Sequence, residues 1–153
     1  MTKLEKLIDE AQAQGILVDD TILSEESSVG GLYLGWPKLN LHVILINRHR
    51  SQRHQTAVMA EEIGHYHTCV GNALDQNDVV AVKKENAGRG AAYQRVIPAQ
   101  KLKKAMTSGN RTVWDLSEAL DLPATFILEA LQYYTVKGCL GGEEEGCVCC
   151  VMK

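Results

Sequence analysis

Three side chains in the stretch Val58-Met-Ala-Glu-Glu-Ile-Gly-His-Tyr-His-Thr have the types and spacing to hold a metal ion and move a proton. Glu61 and His65 are four residues apart, so on a helix both leave the same face and can close on one cation. Glu62, one step on, projects beside them and could take a proton from a water polarised by that cation. The stretch is one residue away from His-Glu-x-x-His, a helical zinc-binding pattern, with Glu61 where the first His would stand. A catalytic zinc takes three protein ligands and keeps one open position. Glu85 is the best candidate for the third, because it is the lone acid in a basic stretch and falls on the next long helix. Gly88 and Ala92 share its face, and Ala57, Gly64 and Thr68 keep the Glu61 face similarly small. Two such faces let a pair of helices approach closely enough for one ion to bridge them. Glycine within a helix costs about 1 kcal/mol against alanine, so Gly88 and Gly90 imply that close packing is needed there. Among the remaining histidines, His67 is expected beside the site or on the surface. His54 is too far along the helix to ligate, and His42 and His49 are expected on the surface.

Elements must position these groups. Leu4, Leu7, Ile8 and Ala11 repeat at helical spacing before Gly15, which predicts a helix over 2–14. Residues 16–23 are ambiguous, and 24–31 read as a loop. Gly31-Leu-Tyr-Leu-Gly predicts a short strand and Trp36-Pro37-Lys38 a turn. Residues 39–47 alternate, with Leu39, Leu41, Val43 and Leu45 on one side and Asn40, His42, Ile44 and Ile46 on the other. The two segments pair as a hairpin. The site helix is expected from His54 to Thr68, with Met59, Ile63 and Tyr66 facing the core. Asp75-Gln-Asn-Asp offers caps for a helix over 78–95, Pro98 opens one through Met106, and 112–134 form a helical pair joined at Asp121-Leu122. The pattern predicts one mostly helical α+β domain over 1–140 with a small antiparallel sheet.

Bulk properties narrow the function. The chain has 153 residues and a net charge of −3, which suits neither a nucleic-acid binder nor a polyacid mimic. The charged N-terminus does not read as a secretory signal, and no apolar run could span a membrane, so a cytoplasmic protein is expected. Residues 1–30 hold seven acids against two bases, and 83–111 hold eight bases against Glu85 alone. That basic stretch reads as a solvated face or a dock for an acidic partner. The five cysteines are odd in number and argue against a disulfide framework. Residues 141–153, with Cys147, Cys149 and Cys150, are expected to be a disordered tail carrying reduced thiols.

Three blocks together resemble the ImmA/IrrE family of metallo-endopeptidases of phages, integrative elements and bacterial stress responses. The first is Met59-Ala-Glu-Glu-Ile-Gly-His, similar to the family's Leu-Ala-(His/Glu)-Glu-Leu-Gly-His. The second is Glu85-x-x-Gly-x-x-Ala-Ala-Tyr-x-x-Val-Ile-Pro98, which keeps the family's Glu-to-Pro distance but carries Gly88 and Gly90 where Ala and an aromatic are usual. The third runs from Trp114-Asp-Leu-Ser-Glu-Ala-Leu through Leu131-Gln-Tyr-Tyr and looks like the family's closing helical pair. The resemblance implies a zincin-like domain with Glu61, His65 and Glu85 as metal ligands and Glu62 as general base. It implies zinc as cofactor, though two carboxylates make the site more anionic, lower the acidity it confers on water and could favour a harder divalent metal. It further implies a slow, selective endopeptidase, phage- or mobile-element-encoded, that cleaves a helix-turn-helix repressor in the host cytoplasm. The alternative is an anti-repressor that binds the repressor without cutting it. Direct DNA binding by 112–134 is disfavoured, because Thr125-Phe-Ile-Leu-Glu-Ala-Leu-Gln-Tyr-Tyr has no Lys or Arg to meet phosphate or guanine.

Overall fold

Thr2 opens the first helix. Its hydroxyl accepts from Glu5 N–H while the Glu5 carboxylate accepts from Thr2 N–H, a reciprocal cap that fixes α1 (Lys3–Ala13). Gly15, at φ 80°, then turns the chain into β1 (Leu17–Asp19). The computed structural model describes residues 1–69 and 78–141. The caps expected at 75–77 and the cysteines of the tail lie outside those residues.

β2 (Gly31–Trp36) and β3 (Leu41–Ile46) form the expected hairpin, registered Gly31 to Ile46 and Trp36 to Leu41. Residues 37–39 make a short 3-10 turn, and Asn40 takes the left-handed conformation at φ 48° before β3 begins. Asparagine tolerates that region better than most residues, so the strand starts two positions later than alternation alone suggests. The sheet is mixed rather than purely antiparallel. β1 runs parallel to β3, giving the order β1-β3-β2. Three residues are too few to carry a readable period, which is why 16–23 are ambiguous in the sequence.

Alternation decides which sheet face is buried. His42, Ile44 and Ile46 are buried and share a face with Tyr33. Along that side lies α2 (Gln52–Cys69), packed on both hairpin strands and on α1. Met59, Ala60 and Ile63 of α2 are fully buried, with Leu7, Ala11 and Ile16 from the N-terminal segment. Asn47 sets the entry to α2. Its side chain is fully buried, donates to Ser24 and Val29 carbonyls at 3.1 and 3.2 Å, and accepts from His49 N–H at 3.0 Å. One amide thus ties the 24–29 loop to the turn before the helix. Asn47→Ala is expected to cost about 2–3 kcal/mol in urea denaturation, because buried carbonyls lose their donor. A loss under about 0.5 kcal/mol would mean that water replaces the amide.

The described residues divide into two compact units, Met1–Ala92 and the part from Tyr93 onward. α3 (Asp78–Val96) begins in the first and ends in the second, which continues with α4 (Ala99–Thr107), α5 (Val113–Leu120) and α6 (Ala124–Val136). Thr112 and Asp115 cap α5 reciprocally, and Asp121 ends it at φ 53°. Leu122 is then buried and Pro123 precedes α6. The Tyr134 hydroxyl donates to the Ile97 carbonyl at 2.8 Å, fastening α6 to the end of α3. The helical pair expected over 112–134 is therefore present. Cys139 is buried and disulfide-bonded, which departs from the reading that an odd number of cysteines argues against a disulfide framework. Residue spacing alone does not show which thiol the fold will bury. No helix among the described residues is long and apolar enough to cross a membrane.

Candidate functional site

The site residues belong to the first unit, on α2 and the N-terminal part of α3. α2 is two-sided. Val58, Glu62 and Tyr66, four residues apart, run along β2, while Gly64 and His65 turn toward α3. Gly64 and Gly88 make the closest approach between the two helices. A Cβ on Gly64 would overlap the Gly88 carbonyl oxygen and fall 3.0 Å from its carbon. The small-residue faces inferred from the sequence do meet, and backbone lies against backbone.

That approach brings His65 and Glu85 together. His65 Nε2 and Glu85 Oε2 are 3.5 Å apart, with the His65 side chain 19% exposed and that of Glu85 47% exposed. The other Glu85 oxygen accepts from Arg89 Nε at 3.0 Å, one helical turn on. Gly88 is also required for the imidazole, since a Cβ there would stand 2.8 Å from His65 Nδ1. Of the three expected ligands, the structure brings these two together. Glu61 is half-buried on α2 one turn before His65. Among the described residues, no three His, Cys, Asp or Glu side chains converge as a metal requires.

Glu62 has the most perturbed chemistry. It is 9% exposed, and burial pushes its carboxyl up to about 7. The Tyr33 backbone N–H, donating to it from β2, opposes that rise, and the nearby Glu61 and Glu85 carboxylates add to it. Glu62 therefore feels two other carboxylates, one of them paired with the His65 imidazole. The donor set suits a divalent cation in kind, as oxygen and nitrogen ligands with excess negative charge.

The other histidines are settled by their surroundings. His42 is not a surface residue: it is 9% exposed, its Nδ1 lies 2.9 Å from the Tyr33 hydroxyl, and its ring meets the edge of Tyr66. The apolar neighbours Ile44 and Ile46 on the same side of β3 draw it inward. His49 is exposed as expected, and His67 is exposed with its ring against Tyr66. Arg89 is paired with Glu85, the Tyr93 hydroxyl donates to Glu129 at 3.1 Å, and His67 lies against Tyr66. The functional contact absent from the sequence reading is the Tyr33 N–H, because a backbone donor leaves no trace in residue type. The chain matches no protein-family model, no curated protein and no solved structure.

Proposed function

We propose that this protein is a metal-dependent endopeptidase of the ImmA/IrrE type that cleaves a phage-type helix-turn-helix repressor. The observation that carries the reading is Glu62, a carboxyl buried beside an imidazole–carboxylate pair, held by the Tyr33 N–H and raised by burial in the metal-free protein. A general base works best when its pKa lies near the working pH, since it must both take and return a proton. Glu62 takes the proton of the attacking water and delivers it to the leaving amine. The Tyr33 N–H holds the carboxylate in place between those steps. His65, Glu85 and Glu61 would hold zinc, or another divalent metal, which when bound supplies Lewis acidity at the scissile carbonyl. The repressor substrate, the phage or mobile-element origin and the host cytoplasm come from the sequence resemblance alone. Loss of the repressor would free its operator DNA.

The test is incubation with the repressor encoded beside the gene, with and without chelator, read by mass spectrometry. A single new peptide bond cut, lost with chelator, is the expected result. Zinc should bind one per chain, and His65→Ala, Glu85→Ala or Glu61→Ala should each remove it. A repressor left intact by metal-loaded protein overturns the proposal.

One observation favours a second reading. Arg89 already neutralises Glu85, leaving that carboxylate with a partner that needs no metal. A non-catalytic anti-repressor would then bind the repressor and displace it from DNA uncut. Equal anti-repressor potency with and without chelator would select it.

A further inference from the structure

The sheet face opposite α2 is apolar on all three strands. Cross-strand register aligns Leu17, Val43 and Leu34 in one row, Leu32 with Leu45 in a second and Trp36 with Leu41 in a third. Leu17 is 58% exposed, Leu32 43% and Trp36 45%, Leu34, Leu41 and Val43 are half-buried, and Leu45 on the central strand is buried. Leu39, in the turn between the hairpin strands, is 72% exposed. Scattered exposed leucines need no explanation, but a contiguous row across a sheet does. Together these residues leave roughly 500 Å² of apolar surface in water, near the upper range for a monomer's largest patch. That is about the apolar share of one side of a standard interface, roughly 800 Å² per partner.

Charge on the face has a direction. Lys38 lies in the turn between Trp36 and Leu41, at one end of the strands, and Asp19 lies at the other end, beside Leu45, its carboxylate accepting from Thr21 and Ile22. A two-fold axis across the strands would set the Lys38 end of one copy over the Asp19 end of its mate. An axis along the strands would stack lysine on lysine. A patch that is apolar at its centre and opposite in charge at its two ends complements itself.

We infer that the Leu17–Leu32–Leu34–Trp36 face of the sheet is a homodimer interface, with two copies packed sheet on sheet and their strands antiparallel. Aligned packing of this kind brings two apolar faces together at about 10 Å, as in a β-sandwich. The interface lies on the side of the sheet opposite Glu62 and His65, so dimerisation is independent of the proposed chemistry.

The full chain should show a concentration-dependent dimer in sedimentation equilibrium. Leu17→Glu and Leu32→Glu replace side chains partly in water, so thermal melting at concentrations where the native chain is monomeric should not fall, yet each should weaken dimerisation by at least about thirtyfold. Lys38→Glu should weaken it by about threefold to tenfold. Val82→Glu, an exposed position on α3 away from the sheet, should leave it unchanged. A chain still monomeric at about 100 µM overturns the inference. So does a dimer that survives both leucine variants, and Lys38→Glu without effect overturns the antiparallel order.

Discussion

Glu62→Gln is expected to abolish peptide cleavage and, in the same molecule, to stabilise the fold by about 3 kcal/mol at pH 8. The two effects have one origin. Burial and neighbouring carboxylates raise the Glu62 carboxyl from its ordinary value of 4.5 to about 7. A carboxyl raised on folding favours the native state only while it is protonated. Its contribution is fully present below pH 4.5, falls as pH rises and is lost once pH passes 7, because the folded protein must then hold a buried anion. Gln keeps an oxygen to accept from the Tyr33 N–H and never takes that charge. The variant and the native chain should therefore match near pH 4 and diverge steadily up to pH 7–8.

Urea denaturation at several pH values, with chelator present, measures this directly. If the native chain and the Gln variant gave parallel pH profiles, Glu62 would be a solvated carboxylate and unsuited to the role of base. Retained repressor cleavage by the Gln variant would remove it from the mechanism altogether. The expected combination of a more stable and inactive protein is one that a merely structural glutamate would not give. It would also mean that the chain keeps a destabilising charge at neutral pH where an amide would fold better. Retaining a buried, titratable group where an amide folds better is what a site held for chemistry would show.

Much of this arrangement can be read from residue order, and the limits of that reading have physical causes. Helical elements were legible because period and caps agree: α2 and α3 fall within two residues of the expected bounds. The meeting of Gly64 with Gly88 was legible too, since small residues at helical spacing on both partners leave little else for those faces to do. β1 was not, because its three residues become a strand only when β3 offers a parallel partner. His42 was misplaced because both sides of 39–47 carry aliphatic residues, and only the packing of α2 chooses between them. That same choice leaves Leu17, Leu34 and Val43 on the outer side. The tuning of Glu62 was hidden for a deeper reason: it depends on burial and on a backbone N–H from another strand, and neither belongs to the glutamate or its neighbours in the chain.

Alanine at the two meeting glycines should separate what holds the fold from what shapes the site. By helix propensity alone, Gly64→Ala would gain about 1 kcal/mol. The added carbon, however, would overlap the Gly88 carbonyl, and a backbone atom in a neighbouring helix cannot swing aside as a side chain can. α2 and α3 must move apart along their length, so a net loss of about 2–4 kcal/mol is expected, with zinc binding lost as His65 and Glu85 separate. Gly88→Ala meets a different obstacle. Its new carbon would lie 2.8 Å from His65 Nδ1 and 3.1 Å from Cε1, both in a ring that can rotate. Stability should change by less than about 1 kcal/mol, while the ring, pushed off its line to Glu85, should bind zinc at least about tenfold more weakly. Urea denaturation and a competitive zinc titration on each variant give the two numbers. A Gly64→Ala protein as stable as the native chain would mean that the helices do not meet at these glycines. The close approach that sets the His65–Glu85 pair would then be lost with it.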